Sequence, residues 1–495
     1  MRKILITIII IGLVLGGWEM AFTLPKKNEK KKEEAIAKAE EFEANGYYKD
    51  AILIYQQLLS SGTDSEISRH IVMDYLAMED YKMFSREAAT YLASNPDEEI
   101  YANLITYYFD KNDNNSAMEN LEKAEKDFPD SEVIMGLKNR MDGEFNLSYT
   151  EFTEVTDFVD GYAVGVLEDG SKYLLDKKGK ITMNRRIIEE VIDIRGISES
   201  GTSEELIKTD TGSTSYETNA AESVVMAAVT VDNGKTDMET ASEGVAKSSE
   251  SNKAQLGFFD ENGNSRAVET GNMEEVYVCH EGKILASANG KWGYAEAGAD
   301  KGYDISGAEL SYDDASVYCN GVAAVKKGDK YALIGKDGNE LTRYDYSEVK
   351  MDGYRNASRG GAVFAKLAGE GSFALIDLDG TVLSEERFDD VRGFLGKNGV
   401  AAVNRDGRWG AIDNSGNLIL DFEYDELKSS ETDYIPYRAG ELWGYISKDG
   451  RTLIEPQFED ALAVSEYGYG WVKKNGAWQI ITVYSIKGED GLFDF

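Results

Sequence analysis

The sequence predicts an α + β protein of several domains: an N-terminal membrane anchor helix, a short α-solenoid and a C-terminal all-β repeat domain. Three observations predict this division. Residues 4–24 are almost wholly apolar, a helical pattern then repeats at a step of 33 residues, and a short phrase recurs eight times in the rest of the chain. Repeats at such steps indicate units that bury their apolar faces against their neighbours. The predicted boundaries are 1–25, 26–143 and 144–495.

The first segment has the composition of a membrane-spanning helix. Met1-Arg2-Lys3 precedes the apolar run, which only Glu19 interrupts. A helix of this length spans about 30 Å, enough for the hydrocarbon core of a bilayer. A cleaved signal peptide is the alternative, but no small-x-small cleavage site follows the run and no cysteine lies nearby to carry a lipid. The pattern favours an uncleaved transmembrane signal anchor.

The second segment shows the spacing of paired amphipathic helices. Ala51, Phe84 and Ala117 align at the step of 33, and apolar residues recur at helical spacing around each of them. The turn at 45–51 and the stretch at 127–130 resemble parts of a tetratricopeptide repeat. This resemblance implies a tetratricopeptide-like α-solenoid of about three repeats, whose helix pairs offer a groove to a peptide or protein partner. A plain spacer is the alternative.

The third segment contains two phrases that recur in step. The clearest copies of the first are 409–416 and 443–450, and the starts from Leu256 onward lie 34 to 42 residues apart. The second is an apolar residue, two mostly acidic residues and a small or apolar one, as in Phe388-Asp389-Asp390-Val391. Two independent phrases in one register predict a repeated unit. A phrase used eight times is also a poor candidate for a catalytic site, which needs different residues converging on one place.

Each unit has the composition of short antiparallel strands. Asx-Gly or Ser-Gly pairs such as Asp337-Gly338 and Ser415-Gly416 follow the first phrase and predict two-residue type I′ hairpins. Tryptophan is the largest side chain available for an interface between units, and the glycine after it permits close backbone approach or a bulge. The predicted structural repeat positions are Trp292, Gly293, Trp409, Gly410, Trp443, Gly444 and Trp478.

These residues resemble the WG-repeat family of bacterial proteins from about Phe152 to the C-terminus. Lys291-Trp292-Gly293-Tyr294, Arg408–Asp413 and Leu442–Phe458 carry the resemblance, whereas Gln479 replaces the glycine of the last copy. The family implies β-rich repeats and no established enzymatic activity, and it supplies no ligand. Eight units of 35–40 residues favour a β-propeller-like arrangement, with an open β-solenoid as the alternative.

One segment breaks the period. The spacing from Lys172 to Leu256 exceeds one unit by more than 40 residues. The excess, about 211–253, is rich in small and polar residues, which predicts a flexible insertion. Within it, the apolar residues 224–231 could form an added strand.

The composition excludes some functions. A formal net charge of −37 makes nucleic acid an improbable partner. His70 and His280 lack the neighbours of a catalytic triad or zinc site, and Cys279 and Cys319 have no metal-ligand spacing. A disulfide between these cysteines is the alternative to two ordinary thiols. Recurrence of the paired carboxylates favours a turn or strand-edge role. We therefore expect no catalytic residue, metal or cofactor.

These patterns predict a non-catalytic interaction or scaffold protein that binds protein or cell-envelope partners. A carbohydrate-binding or carbohydrate-active propeller is the alternative, and a spacer that binds nothing is a third possibility. The lysines after the apolar run favour a cytoplasmic location by the positive-inside rule. The family resemblance instead implies a single-pass protein of the cell membrane, held through residues 4–24, with its repeats outside the cytoplasm. We adopt the second prediction.

Overall fold

The computed structural model describes residues 29–60, 62–156, 158, 163–170, 172–175, 193–194, 225–230, 246–247, 254–259, 265–269, 273–277, 281–296, 308–353 and 355–486. Two compact units contain these residues. The first, here called the helical unit, ends at Met141, and the second, the β unit, begins at Asp142.

The predicted location as a single-pass membrane protein needs correction. Within the ranges just given, no helix is both long enough and apolar enough to cross a membrane, so the structure does not support the anchor. Residues 4–24, on which that prediction rested, lie outside the described residues.

The helical unit consists of consecutive α-helices joined by short turns. Their bounds are α1 29–44, α2 Tyr48–Leu59, α3 Ser65–Ala77, α4 Tyr81–Leu92, α5 Glu98–Asp110, α6 Asn114–Asp127 and α7 Glu132–Gly143. The starts of α2, α4 and α6 are 33 residues apart, and so are those of α3 and α5. The helices therefore repeat at the step that the sequence predicts.

The same step governs the helix ends and the core. Asp64 and Asp97 each accept backbone hydrogen bonds at the start of α3 and α5, which stabilises these first turns. Ala51, Phe84 and Ala117 are wholly buried at equivalent positions of α2, α4 and α6. A small side chain therefore alternates with a large one along this part of the core.

The β unit is made of short strands. In chain order they are β1 Phe145–Leu147, β2 Glu154–Val155, β3 Ala163–Val166, β4 Lys172–Leu175, β5 Asp193–Ile194, β6 Val225–Thr230, β7 Ala246–Lys247, β8 Ala254–Phe259, β9 Ser265–Glu269, β10 Glu275–Val276, β11 Lys283–Ala288, β12 Lys291–Glu296, β13 Glu309–Tyr312, β14 Asp314–Ala315, β15 Val322–Lys327, β16 Lys330–Gly335, β17 Tyr346–Val349, β18 Val363–Leu367, β19 Phe373–Ile376, β20 Asp390–Val391, β21 Ala401–Arg405, β22 Arg408–Ile412, β23 Leu418–Tyr424, β24 Glu426–Leu427, β25 Ile435–Ala439, β26 Leu442–Ile446, β27 Thr452–Phe458, β28 Asp460–Ala461, β29 Tyr469–Lys474 and β30 Ala477–Val483.

A regular repeat is an open antiparallel sheet of four strands in sequence order. The sheets β20-β21-β22-β23 and β24-β25-β26-β27 show this most clearly. The fourth strand of one sheet is followed, one residue later, by the first strand of the next. In the six-stranded sheet β14–β19, strand β17 belongs to two consecutive units. Its first residue, Tyr346, pairs with β16, and Tyr346, Glu348 and Val349 pair with β18.

Both repeated phrases meet in one cross-strand pair. The aromatic residue at the tryptophan position of the third strand pairs with the apolar residue that opens the next acidic phrase. The pairs are Trp292↔Tyr312, Tyr331↔Tyr346, Phe373↔Phe388, Trp409↔Tyr424, Trp443↔Phe458 and Trp478↔Phe152. This pairing explains why the two phrases hold one register along the chain.

The last of these pairs joins the two ends of the β unit. Strand β1 pairs antiparallel with β30, and Phe152 then bridges to Trp478. The segment before the first repeat thus occupies the fourth-strand position of the last sheet. Gln479, which stands where other copies have glycine, donates a side-chain hydrogen bond to the backbone of Ser148 in this segment (2.9 Å).

The core of the β unit lies between consecutive sheets. Alternating strand residues place apolar side chains on both faces, and each face packs against the neighbouring sheet. One buried cluster joins β20–β23 to β24–β27, and the next joins β24–β27 to β28–β30. A further cluster, containing Phe152 and Trp471, joins the last sheet to β2–β4, the first.

One expectation about the connections between strands needs correction. Gly338, Gly380, Gly416 and Gly450 have positive φ, but the residues before them do not, so the predicted type I′ hairpins are absent there. The two-residue hairpins instead join the second and third strands, as at Asn289-Gly290, Asp406-Gly407 and Asn475-Gly476, where both residues have positive φ.

The predicted insertion at 211–253 lies largely outside the described residues. Its apolar part forms β6, which pairs with β5 on one side and β8 on the other. The strand that the apolar residues 224–231 were expected to allow is thus present, and the predicted insertion stays a prediction.

We expect Phe152→Ala to destabilise the β unit by about 3–5 kcal/mol, because a large buried side chain is lost. Phe152 is 1% exposed and its ring lies 5.2 Å from that of Trp471. Urea unfolding followed by tryptophan fluorescence measures the loss. Tyr149→Ala, in the same segment but wholly exposed, is the control and should shift stability by about 0.5 kcal/mol or less. Equal effects of the two changes would contradict the assigned pairing.

Candidate functional site

The predicted repeat positions lie on separate strands and do not converge. Trp292, Trp409, Trp443 and Trp478 belong to β12, β22, β26 and β30, one in each of four sheets. Trp292 and Trp443 are 9% and 6% exposed, and the other two are half-buried. The structure therefore assigns each tryptophan to its own unit and gathers none of them into a common pocket.

A cation covers the ring at each of these aromatic positions. The distances from the cationic atom to the ring centroid run from 4.1 to 5.9 Å: Arg355 over Trp292, Lys326 over Tyr331, Lys366 over Phe373, Arg392 over Trp409, Lys428 over Trp443 and Lys473 over Trp478. A cation over an aromatic face contributes about 0.5–2 kcal/mol. A lysine or arginine of the protein itself therefore lies over a face of each of these rings.

Some of these cations also link neighbouring units. Arg392 lies 2.5 Å from Glu426 of β24, the first strand of the following sheet. In the same way, Lys428 lies 2.6 Å from Asp460 of β28, the first strand of the sheet after that. The side chains involved are 21–34% exposed. In these two phrases the third residue therefore accepts a cation that also lies on a tryptophan.

The second residue of the phrase binds the backbone of a hairpin. Asp313 accepts a hydrogen bond from the Gly328 N–H (2.7 Å), and Asp389 accepts one from the Asp406 N–H (2.8 Å). A hydrogen bond from Lys291 and the one from Gly328 lower the pKa of Asp313. The paired carboxylates thus bind turns and cations within the fold.

The glycine after Trp292, Trp409 and Trp443 lies against the fourth strand. A Cβ atom would come 2.1 Å from the Glu309 carbonyl oxygen at Gly293, 2.7 Å from that of Leu420 at Gly410 and 2.3 Å from that of Ile454 at Gly444. Register shifts occur at the same three places, so each is a bulge. The glycine is required because the fourth strand occupies the space of a side chain.

The described residues offer no metal-binding cluster of three or more histidine, cysteine or acidic side chains. Cys319 is a free thiol whose pKa is raised by burial. Cys279 and His280 lie outside the described residues, so the predicted alternatives for the cysteine pair stay open.

A cavity in the helical unit is a better candidate for a binding site. It has a volume of about 700 Å³ and is lined by the end of α2, the α2–α3 connection, the first half of α3 and the second half of α4. We call it the groove. Leu59, Ile71, Val72 and Tyr91 supply apolar surface. The remaining lining is polar: Thr63, Asp64, Ser65, Ser68, Glu87, Thr90, Ser94 and Asn95.

The charged residues that line the groove are acidic. Asp64 and Glu87 are its charged lining residues, and no lysine or arginine belongs to that lining. Asp64 caps α3 and pairs with Lys32 (2.6 Å), and this contact and the backbone hydrogen bonds lower its pKa. Glu87 pairs with the exposed Arg86 at 2.7 Å. Surface ion pairs of this kind contribute about 0–1 kcal/mol to the free energy of unfolding. A cation of a bound ligand can therefore replace Lys32 at Asp64 or Arg86 at Glu87.

A cluster of polar residues joins α1 to α2 and α3, the last two of which also line the groove. Asp74 of α3 is 3% exposed, and its Oδ2 atom has no hydrogen-bond partner. Burial, then the charge of Glu43 and a hydrogen bond to it, raise the pKa of Asp74 to about 8. His70 Nδ1 lies 2.9 Å from Glu43 Oε1, and the His70 ring stacks on Tyr55 at 5.0 Å. We call Glu43 and Asp74 the acid pair.

Sequence reasoning missed this cluster. His70 has a carboxylate partner, but Glu43 lies on another helix and no local motif joins them. One signal was present. Asp74 continues the helical spacing of the buried residues Ile67 and Ile71, and an acid on an apolar face indicates a buried charge that needs a partner.

The β unit matches a known repeat family. A profile described as "WG containing repeat" matches residues 308–331, 373–409, 409–442 and 443–478. These segments cover less than half of the chain and identify its C-terminal repeats as WG-type. The family comparison does not extend to the helical unit, whose tetratricopeptide-like assignment stays a prediction. No curated protein matches the chain.

Several solved structures show a distant likeness. Hsv2p of Kluyveromyces lactis is 12% identical, with 40% of this chain and 70% of that chain covered and a TM-score of 0.28. The β-propeller domain of Myceliophteria thermophila Cps50 (Swd1) is 12% identical, with 46% and 90% covered and a TM-score of 0.27. The WD40 β-propeller domain of Doa1 is 13% identical, with 61% and 94% covered and a TM-score of 0.27. Scores this low establish neither a shared fold nor a shared function.

We expect Gly444→Ala to destabilise the β unit by about 1–3 kcal/mol, because a Cβ atom there collides with backbone that cannot move aside freely. Urea unfolding followed by tryptophan fluorescence measures the change. Gly393→Ala is the control, since its backbone has no positive φ and nothing lies within 4 Å of the added carbon. If Gly444→Ala is as stable as the control, the close strand approach is not a constraint.

Proposed function

We propose that the protein is a non-catalytic interaction protein whose helical unit binds an extended segment of a partner protein in the groove. The observation that carries this proposal is the groove itself, a cavity of about 700 Å³ whose lining combines apolar residues with polar and acidic ones. Binding sites are commonly concave, largely apolar and provided with a few polar groups that fix orientation.

The chemistry of the rim favours a basic segment. The carboxylates of Asp64 and Glu87 can accept a lysine or arginine in exchange for their exposed partners. In the part of the chain that the structure describes, the hydroxyls of Thr63, Ser65 and Ser94 form no side-chain hydrogen bond, which leaves them available to a peptide backbone. A net charge of −37 would draw a basic partner toward the protein.

The proposal gives the β unit a scaffold role. Its recurring side chains are used within the fold: the tryptophans lie under cations, the glycines lie against the fourth strands, and the acids bind hairpins and cations. Repeats whose signature residues have structural roles leave their variable surfaces for recognition.

The same proposal takes the β unit as a propeller-like ring of eight repeat units rather than an open solenoid. Two observations support a ring. The segment 145–152 completes the last sheet, and the last sheet packs against the first through the cluster around Trp471. An open solenoid would leave its first and last sheets without this common core.

The carbohydrate-binding alternative has less support. A sugar site of this type needs exposed aromatic rings as stacking surfaces. The rings at the repeat positions are instead buried or half-buried and covered by arginine or lysine.

A display library of random peptides, selected against the purified full chain, tests the proposal. We expect the selected peptides to carry lysine or arginine beside an apolar residue. Fluorescence anisotropy of a labelled selected peptide then compares two charge reversals. Glu87→Lys, in the groove, should weaken binding by roughly tenfold or more, because it replaces attraction by repulsion.

Glu119→Lys is the matched control. Glu119 is exposed on α6, pairs with Lys123 (2.8 Å) and does not line the groove, so this variant should bind as the unchanged chain does. Selected peptides that bind Glu87→Lys and the unchanged chain equally would place the site elsewhere. A selection that yields no peptide specific for the chain would contradict the proposal as a whole.

A further inference from the structure

The acid pair has no role in the binding function proposed above. The cluster that contains it is formed by residues of three helices. Glu43 belongs to α1, Tyr55 to α2, and His70 and Asp74 to α3. Tyr55 is wholly buried and its hydroxyl has no hydrogen-bond partner. Polar groups buried in this way are costly unless they are satisfied. A cluster of this kind therefore holds its helices in one arrangement only while its charges are balanced.

The charge balance of the cluster depends on a single proton. One carboxyl group of the pair can donate to the other, and His70 Nδ1 lies 2.9 Å from Glu43 Oε1. With one proton on the pair, a single negative charge is shared between the two carboxyl groups. Without it, the buried Asp74 carboxylate faces the carboxylate of Glu43, whose side chain is 20% exposed, and the two like charges repel each other.

The acid pair shares its helices with the groove. His70 and Asp74 flank the lining residues Ile71 and Val72 on α3, and Tyr55 lies one turn before the lining residue Leu59 on α2. Val72 is 1% exposed, so its position depends on the packing of α3. A change in how α1 holds α2 and α3 is thus transmitted to the groove through the helices that form it.

We propose that the Glu43–Asp74 pair is a proton-operated latch that holds α1 against α2 and α3 and keeps the groove in its binding shape. This inference rests on the proposed function for its effect on binding, but the latch itself is independent of any ligand. The other titratable groups facing the cluster are His70, Tyr55 and Glu40, whose charge acts on Tyr55.

The direction of the pH effect follows from Asp74. Its pKa is raised from the ordinary value near 4 to about 8 in the folded chain. The folded state therefore binds a proton that the unfolded chain has lost, and stability falls as the pH rises from about 4 toward 8. At about pH 8 half of the molecules have lost this proton, and the loss is complete only about one pH unit higher.

Amide hydrogen exchange of the full chain tests the latch without a ligand. Protection factors of α1 and α3, corrected for the intrinsic effect of pH, should decrease as the pH is raised from about 6 to about 9. Asp74→Asn keeps a donor for Glu43 and cannot ionise, so its protection should be independent of pH. Asp110→Asn neutralises an exposed acid on α5 and should behave as the unchanged chain.

A labelled peptide selected for groove binding provides the second readout. In the unchanged chain its affinity should fall over the same pH range by roughly tenfold, whereas in Asp74→Asn it should stay constant. Equal pH dependence of protection in Asp74→Asn and the unchanged chain would overturn the latch. A latch that opens while peptide affinity stays constant would overturn its control of the groove. If no peptide binds at any pH, the proposed function fails, and hydrogen exchange alone still decides whether the latch exists.

Discussion

The architecture of the β unit depends on one cross-strand contact, in which the aromatic residue of the third strand pairs with the aromatic residue that opens the next acidic phrase. This contact sets the register of the fourth strand and brings the acids to the adjacent hairpin and cation. Every unit needs a following phrase to complete it. In the last sheet this position is filled from the other end of the β unit, by Phe152. The ends of the unit are thereby joined by the same interaction that joins its neighbours.

Much of this organisation could be predicted from the sequence. The eightfold phrase, the acidic phrase in step with it and the helical step of 33 each reflect packing between neighbours, which repeats because the geometry repeats. The tight turns were assigned to the wrong connection. Asx-Gly pairs occur in both kinds of connection, as at Asp406-Gly407 and Asp449-Gly450, and only the backbone distinguishes a loop with one positive φ from a type I′ turn with two.

Features that depend on distant residues could not be predicted. Completion of the last sheet by residues 145–152 has no local signature, although the replacement of glycine by Gln479 marks the one copy whose fourth strand comes from elsewhere. The groove and the acid pair likewise arise from three or four helices in contact. The membrane location was predicted from composition near the start of the chain, and the described helices do not support it.

The two units differ in how they use charge. In the β unit the carboxylates of the acidic phrases are matched by backbone N–H groups and by cations, so they stabilise a fixed arrangement. In the helical unit Asp74 is buried with only another acid and a shared proton to balance it. A buried acid of this kind makes packing conditional on pH, and the groove formed by the same helices acquires that dependence.

The most direct measurement of the central claim is a disulfide between the two ends of the β unit. Asn146 on β1 and Thr482 on β30 are directly paired, so cysteines at both positions, with Cys279 and Cys319 replaced by serine, should form an intramolecular bond on mild oxidation of the folded chain. We expect a monomer with no free thiol and a shifted mobility on a non-reducing gel. Two thiols that stay reactive in the oxidised, folded protein, or bonds only between molecules, would contradict it.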